Sequence, residues 1–387
     1  MRFALPLALL VAVPGFAACT QNATTDNDAA GDGGPISVAA TDAACDVSTA
    51  SAPAGPLTFE VTNNGSEVTE FYLYSADGKR IVGEVENIGP GLQGKLIVTA
   101  DQGSYLTACK PGMSGHGMRS RFTVTKPAEG AVAPSQDHVL VSEAQNDYRS
   151  WVQRQSDHLV TRTAAFVAAY TAGKDDLARR LYPQARTPWE SIETVAESFG
   201  DLDPKTDARE ADLSPGQKWT GWHRIEKDLW PQQAKHYTHL TPSQRATYGQ
   251  DLLHNVTRIR NGIRGLTFTT DQIANGSSGL MEEVATSKVT GEEEHWSHTD
   301  LWDFAANVAG ARVAYEDVKP IVATRDPALS RTLTQRFDGI DRLLSEQRQG
   351  DGYVLYTDLS RAEVKRLADA VNALSEPLSH LTAAVLP

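Results

Sequence analysis

The stretch RFTVTKPAEGAVAPSQDHVLVSEAQNDYRSWVQRQSDHLVTRTAAFVAAY, residues 121–170, contains the change on which the fold turns. Arg121-Phe-Thr-Val-Thr125 alternates apolar and polar residues with the period of two that a half-buried strand requires. Lys126 to Gln136 then carries Pro127, Gly130 and Pro134, which punctuate regular structure and predict a linker over 127–137. Beyond it, Tyr148, Val152, Leu159, Phe166 and Tyr170 recur near helical spacing, with Gly173 as a stop.

Working back toward the N-terminus, the period of two persists. Leu57-Thr-Phe-Glu-Val-Thr62, Phe71-Tyr-Leu-Tyr74 and Lys95-Leu-Ile-Val-Thr99 read as short strands. Asn63-Asn64-Gly65, Asp77-Gly78, Gly89-Pro90-Gly91 and Gln102-Gly103 separate them as turns. Short strands at this spacing predict a small sandwich or barrel over 36–126. Working forward, helices are predicted over Asp175–Phe199, Gly216–Leu229, Thr241–Ile263, Thr270–Ser287, Asp300–Val318, Pro327–Gln349 and Ser360–Ala384. Thr241-Pro242 marks a helix start, and Ser360-x-x-Glu363 a capping box. The expected architecture is a multidomain β plus all-α protein, with a helical bundle over 138–387.

The chain has 387 residues, 40% of them apolar, and a formal charge of −13. No basic run exceeds two residues, which argues against nucleic acid as a partner, because phosphate binding needs clustered Lys and Arg. Residues 1–18 read as a signal peptide: Arg2 is the positive end, Phe3 to Val13 a short apolar run, and Ala17-Ala18 the small residues before Cys19. That run is too short to span a bilayer. Phe16-Ala17-Ala18-Cys19 resembles a lipobox, which makes Cys19 the expected lipidation site and the membrane an expected partner through the lipid. The polar residues 19–35 read as a flexible tether.

The densest polar chemistry lies in the helical part. Glu190 and Glu193 are three apart, as are His223 and Glu226, so each pair is expected on one helical face. Bundle cores build metal sites from such pairs. Asp207, between them, would complete a set of four or five N/O ligands suited to iron (Fe2+/Fe3+) or another borderline divalent ion. Trp219, Trp222 and Trp230 flank His223 and Glu226 and draw that turn inward. Glu292-Glu-Glu-His295-Trp-Ser-His298 offers a second i,i+3 pattern, readable either as a ligand patch or as a loop leading into a helix.

Glu190-Ser-Ile-Glu193 through Asp207-Ala-Arg-Glu210 to Trp219-Thr-Gly-Trp-His223-Arg-Ile-Glu226-Lys-Asp-Leu-Trp230 resembles the EfeO branch of the imelysin-like family, as does Thr299-Asp-Leu-Trp-Asp-Phe-Ala-Ala-Asn-Val-Ala-Gly310. The resemblance covers nearly the whole chain after the signal segment. It implies an extracytoplasmic component of an iron-uptake system, partnered by a membrane iron permease and a secreted haem peroxidase. It maps the metal site onto Glu190, Glu193, Asp207, His223 and Glu226, with Asp203 as the alternative to Asp207. The HxxE motif also places such proteins among metallopeptidases, which makes zinc-dependent hydrolysis the rival function. A catalytic zinc needs three protein ligands and an open position, and the chain has no HExxH.

In the β part, Cys45 and Cys109 are the two remaining cysteines, and two readings stay open. Outside the cytoplasm such a pair usually forms a disulfide. Alternatively, Cys109 followed by Met113, His116 and Met118 resembles a cupredoxin loop, although His116 is the first His of the chain and a blue-copper centre needs an earlier one. The family resemblance implies a cupredoxin-like domain with an altered site at Cys45, Glu70, Glu84 or Glu86, and Cys109, suited to Cu2+ or Fe3+. Tyr72 stands where a second carboxylate is expected. Ferrous oxidation shared between two metal domains is a third functional reading.

Overall fold

In the computed structural model, the described residues are 34–386 except 114, 128–137, 214–215, 235 and 287. The expected signal segment, Cys19, most of the tether and nearly all of the linker lie outside the described residues. Nine strands precede the helices: β1 Ile36–Ala40, β2 Cys45–Val47, β3 Ser51–Pro53, β4 Gly55–Asn63, β5 Thr69–Ser75, β6 Ile81–Ile88, β7 Gln93–Ala100, β8 Gly103–Cys109 and β9 Met118–Thr125. They form two sheets, ordered β2-β1-β4-β7 and β3-β9-β8-β5-β6. Along β4 the alternation read from the sequence becomes geometry: Leu57, Phe59 and Val61 are buried, with more exposed residues between them. Phe59 of the first sheet meets Phe71 and Phe122 of the second at 5.1 and 5.5 Å between ring centroids. Each such buried ring contributes about 1.5–3 kcal/mol.

The helices are α1 His138–Thr171, α2 Asp175–Glu190, α3 Glu193–Glu197, α4 Leu202–Asp207, α5 Trp222–Leu229, α6 Pro242–Ile263, α7 Thr270–Thr286, α8 Asp300–Arg325, α9 Pro327–Glu346, α10 Arg361–Leu378 and α11 Leu381–Val385. Ser360 makes the expected capping box with Glu363, and Thr241, expected only as a helix start, makes one with Gln244. Phe166, Tyr182 and Trp222 pack ring against ring at 5.5–6.0 Å and tie α1, α2 and α5 into one core.

Two predicted helices differ where they shape the site, and that over 360–384 is also split, at Ser379-His380, into α10 and α11. The expected helix over 175–199 breaks after Glu190. Gly310 of α8 lies so close to the break that a Cβ there would fall 2.2 Å from the Ser191 carbonyl oxygen. Asn307 on the same helix donates to the Glu190 carbonyl at 2.8 Å, satisfying a group the broken helix leaves free. The expected helix over 216–229 starts only at Trp222, after Gly221 with φ +88°. A Cβ on Gly221 would sit 2.0 Å from the Thr206 carbonyl oxygen, so glycine here lets the start of α5 press against the end of α4.

The two parts belong to one compact unit and are joined by hydrogen bonds. The Thr99 N–H donates to Asp271 at 2.6 Å, Asn275 to the Ile97 carbonyl at 2.8 Å, and the Ile81 N–H to the Ser198 carbonyl at 3.1 Å.

Candidate metal centre

The two glycine contacts and the broken helix converge on one place. The contact of Gly221 with Thr206 sets Asp207, at the end of α4, beside His223, in the first turn of α5. The break between α2 and α3 turns Glu190 and Glu193 toward the same point from either side, rather than from one helical face as expected. Lys288 binds both, 2.8 Å from Glu190 Oε2 and 2.6 Å from Glu193 Oε2.

His223 is wholly buried and held at Nδ1. Its Nδ1 donates to Glu226 Oε2 at 3.1 Å. Glu226 Oε1 accepts the backbone N–H groups of Trp296 and Ser297 at 2.8 and 2.7 Å. Both Glu226 oxygens are therefore engaged. This refines the expectation that His223 and Glu226 grip one ion together: Glu226 fixes the imidazole tautomer and orientation, as the outer carboxylate of a metal site does. The free edge of the ring, Nε2, faces Asp207 Oδ1 and Glu293 Oε1 at 3.3 Å each, without a hydrogen bond to either. One ligand atom from each of Asp207, His223 and Glu293 can be chosen so that all lie within 4.8 Å of one another. The same is true of Glu190, Glu193 and Asp207, and of His223, Glu226 and Glu294.

Glu293 and Glu294 come from the polar patch whose role stayed open in the sequence. Residues 293–297 form turns rather than a helix, so the i,i+3 logic for Glu292, His295 and His298 fails. Glu292 and His295 are exposed, while Glu293 and Glu294 are buried and enter the His223 centre. Asp303 of α8 also reaches it, buried and with neither oxygen hydrogen-bonded. Sequence reasoning missed Glu293, Glu294 and Asp303 as a group. The available signal was three consecutive glutamates next to Trp296 and an Asp-rich helix start.

Arg186 and Lys288 were missed as well. Arg186, wholly buried on α2, pairs with Glu190 and Asp207 and lies 2.7 Å from Glu294, 3.2 Å from Glu293 and 3.5 Å from Asp303. Glu190, Glu193, Asp207, Glu226, Glu293, Glu294 and Asp303 thus surround two buried cations and one imidazole. The competition shows in the ionisation of each group. Burial pushes Glu293 up, but Lys288, His223 and Arg186 outweigh it and hold it at about 2. Burial opposes ionisation of Asp207 too, yet Arg186 and His223 keep its pKa well below the usual range. For Glu294 and Asp303 burial wins and both are raised, Glu226 adding to the rise at Glu294 and Arg186 opposing it at both. Burial and Arg186 work against a charged His223, but Asp207, Glu226 and Glu293 raise it well above the ordinary imidazole value.

A cavity of about 350 Å³ leads to the centre. Glu193, Glu197, Asp203, Asp207, Glu283 and Glu293 line it from the helical side, and Lys110, Met113 and Gly115 from the β side. Asp203, the alternative to Asp207, belongs to this vestibule and is raised to about 8 by burial and by Asp207.

The β-part residues form a different arrangement. Cys45 and Cys109 are joined in a disulfide with 5.4 Å between Cα atoms. This corrects the assignment of both as metal ligands: β2 of one sheet and β8 of the other bring the two cysteines within bridging reach, and bridged sulfurs offer no thiolate. Glu70 accepts from the Tyr72 hydroxyl at 2.5 Å and pairs with Lys110 at 3.3 Å. Lys110 also donates to the Tyr72 oxygen at 3.1 Å and stands 4.6 Å from its ring centre. Glu84 is opposite Tyr72 in the sheet and is raised to about 8 by burial and Glu70, while Glu86 lies 3.4 Å from the Tyr72 oxygen. No group of three His, Cys, Asp or Glu among the described residues gathers here as it does at His223. His116 is exposed, and Met113 faces the vestibule.

A family model described as imelysin matches residues 144–381, the whole span that carries the His223 centre. The chain belongs to the imelysin family. A second model, described as a cupredoxin-like domain, matches residues 7–124, so this imelysin chain carries a cupredoxin-like β part. It is 34% identical over 378 residues to the iron uptake system component EfeO of Yersinia pseudotuberculosis, an alignment covering 97% of this chain and 95% of that protein. It is 33% identical over 349 residues to the iron uptake system component EfeO of Escherichia coli, covering 89% and 90%. This imelysin chain is thus EfeO-type from its β part to its last helices. No helix among its described residues is long and apolar enough to cross a membrane.

Proposed function

We propose that this protein captures iron outside the cytoplasm as one component of an uptake system and hands it to a membrane permease. The observation that carries the reading is the set of half-buried Asp207 with buried His223 and Glu293, in which His223 Nε2 faces both carboxylates at 3.3 Å without a hydrogen bond and Asp207 Oδ2 has no hydrogen-bond partner. Buried polar atoms are normally satisfied, and a carboxylate–imidazole set is suited to iron. The relatives named as iron uptake components support the choice of ion and of process. Iron is the cargo here. Its ligands would be Asp207, His223 and Glu293, with Glu190 and Glu193 alongside and Glu226 orienting the ring. A secreted haem peroxidase as second partner and lipid attachment through Cys19 complete the proposal.

Capture, rather than zinc-dependent peptide hydrolysis, is favoured by Glu226. The glutamate of the HxxE motif has both oxygens engaged and is not placed as a free general base. Copper or ferric iron in the β part would need ligands other than Cys45 and Cys109. The test is to supply Fe2+ anaerobically, and Zn2+ separately, while following bound metal and cleavage of a peptide library. Saturable iron binding with no cleavage is expected. Turnover that Glu226→Ala abolishes would overturn the reading.

A further inference from the structure

We propose that Lys288 is a tethered counter-cation that occupies part of the cation site and must yield to the incoming ion, so that it sets the site's affinity and its preference for ions of charge above +1. The inference rests on the reading of this centre as a cation-capture site. Lys288 opens a short 3-10 turn two residues after the end of α7, and its side chain is wholly buried. Its ammonium touches Glu190 Oε2 and Glu193 Oε2 at 2.8 and 2.6 Å. Those two residues, with Asp207, can place one ligand atom each within 4.8 Å of the others. The ammonium therefore bridges two of the three carboxylates that an oxygen-ligated metal would use.

Arg186 differs in kind. Its planar fork is committed to five carboxylates around the centre, and it is built in as a fixed wall. Lys288 is a point charge on a flexible stem. The vestibule that reaches Glu193 also reaches Glu283, so a displaced ammonium has another carboxylate to face. Without Lys288, the buried Glu193 would lose its ammonium partner while facing Glu190, which Arg186 alone would then neutralise, and such a loss is costly; Lys288 holds the empty site together. A monovalent ion that replaces the ammonium gains no Coulomb energy, since attraction scales with charge. A divalent or trivalent ion gains in proportion and can expel it.

The test is anaerobic Fe2+ titration of the full chain and its Lys288→Met variant. The variant is expected to bind Fe2+ about tenfold more tightly or better, a factor of ten being about 1.4 kcal/mol. Replacing tetramethylammonium chloride by NaCl at constant ionic strength should weaken Fe2+ binding to the variant and leave the wild type unchanged. Equal or weaker Fe2+ binding by a folded variant would overturn the inference, because a purely structural lysine predicts that result. A second measurement uses the wild type alone: acetylation of Lys288, read by peptide mass spectrometry, should accelerate when Fe2+ is bound. Unchanged protection of Lys288 in the iron-loaded protein would also overturn it. A wild type that binds neither Fe2+, Mn2+ nor Zn2+ would remove the capture function itself, whereas failure of the variant and labelling results alone leaves capture standing.

Discussion

The chain contains two acidic clusters that each enclose a lysine, and they differ in what is left over. Around Lys110 in the β part, Glu70 is matched by the ammonium and the Tyr72 hydroxyl, and the nearby cysteines are bridged. The Lys110 side chain keeps 21% of its exposure. Around Lys288 in the helical part, the lysine and Glu190 are wholly buried, carboxylates outnumber cations, and His223 Nε2 and Asp207 Oδ2 remain without hydrogen bonds. Acidity alone does not make a site. What distinguishes the helical cluster is buried ligand atoms whose demand the protein does not meet.

The largest expected effect separates the clusters directly. His223→Ala should weaken iron binding by about a hundredfold or more, at least the upper end of what losing an outer partner of a metal ligand costs, and Glu70→Gln, buried against Lys110 and Tyr72 and outside the ligand set, should change it by less than about twofold, as for independent sites. Equal losses would show that the β cluster shares the ion. Next, Cys45→Ser with Cys109→Ser opens a crosslink spanning 64 residues. It should cost about 2–4 kcal/mol of stability in denaturant unfolding, while iron stoichiometry stays the same. Loss of iron in that variant would restore a metal role to the β part.

A smaller effect is the pH dependence of the cation-free protein. Glu84 and Asp203 are raised to about 8 and Asp317 to about 7, chiefly by burial. A carboxyl with a raised folded pKa binds a proton in the folded state that the unfolded chain releases. Its contribution is full below the unfolded value of about 4 and is lost as pH rises through the folded value. Glu293, lowered to about 2, acts oppositely, and its contribution disappears only as pH falls from the unfolded value toward 2. Thermal melting should therefore be highest near pH ~5 and fall toward pH ~8. Glu84→Gln should flatten part of that slope without touching iron affinity; an unchanged slope would mean that Glu84 titrates normally.

The fold was largely legible because its signals are local. Leu57, Phe59 and Val61 alternate in the sequence and in the sheet, and Thr241 and Ser360 announce their caps. The centre was legible only in part. The residues Glu190, Glu193, Asp207, His223 and Glu226 do meet, but the geometry rests on long-range contacts. Gly310 against Ser191 breaks the helix, and Gly221 against Thr206 delays the next one. Neither contact leaves a periodic trace. Arg186 and Lys288 read as ordinary surface charges until burial reveals them, and Glu293 and Glu294 sit in a turn that i,i+3 reasoning cannot treat.

The most direct test is the iron content and Fe2+ affinity of the wild type beside a His223→Ala/Glu293→Gln double variant, which removes two of the three gathered ligands and leaves Arg186, Lys288 and the β part untouched. The account predicts that the folded double variant loses the iron the wild type binds at the helical centre. Unchanged iron content in that variant would contradict it.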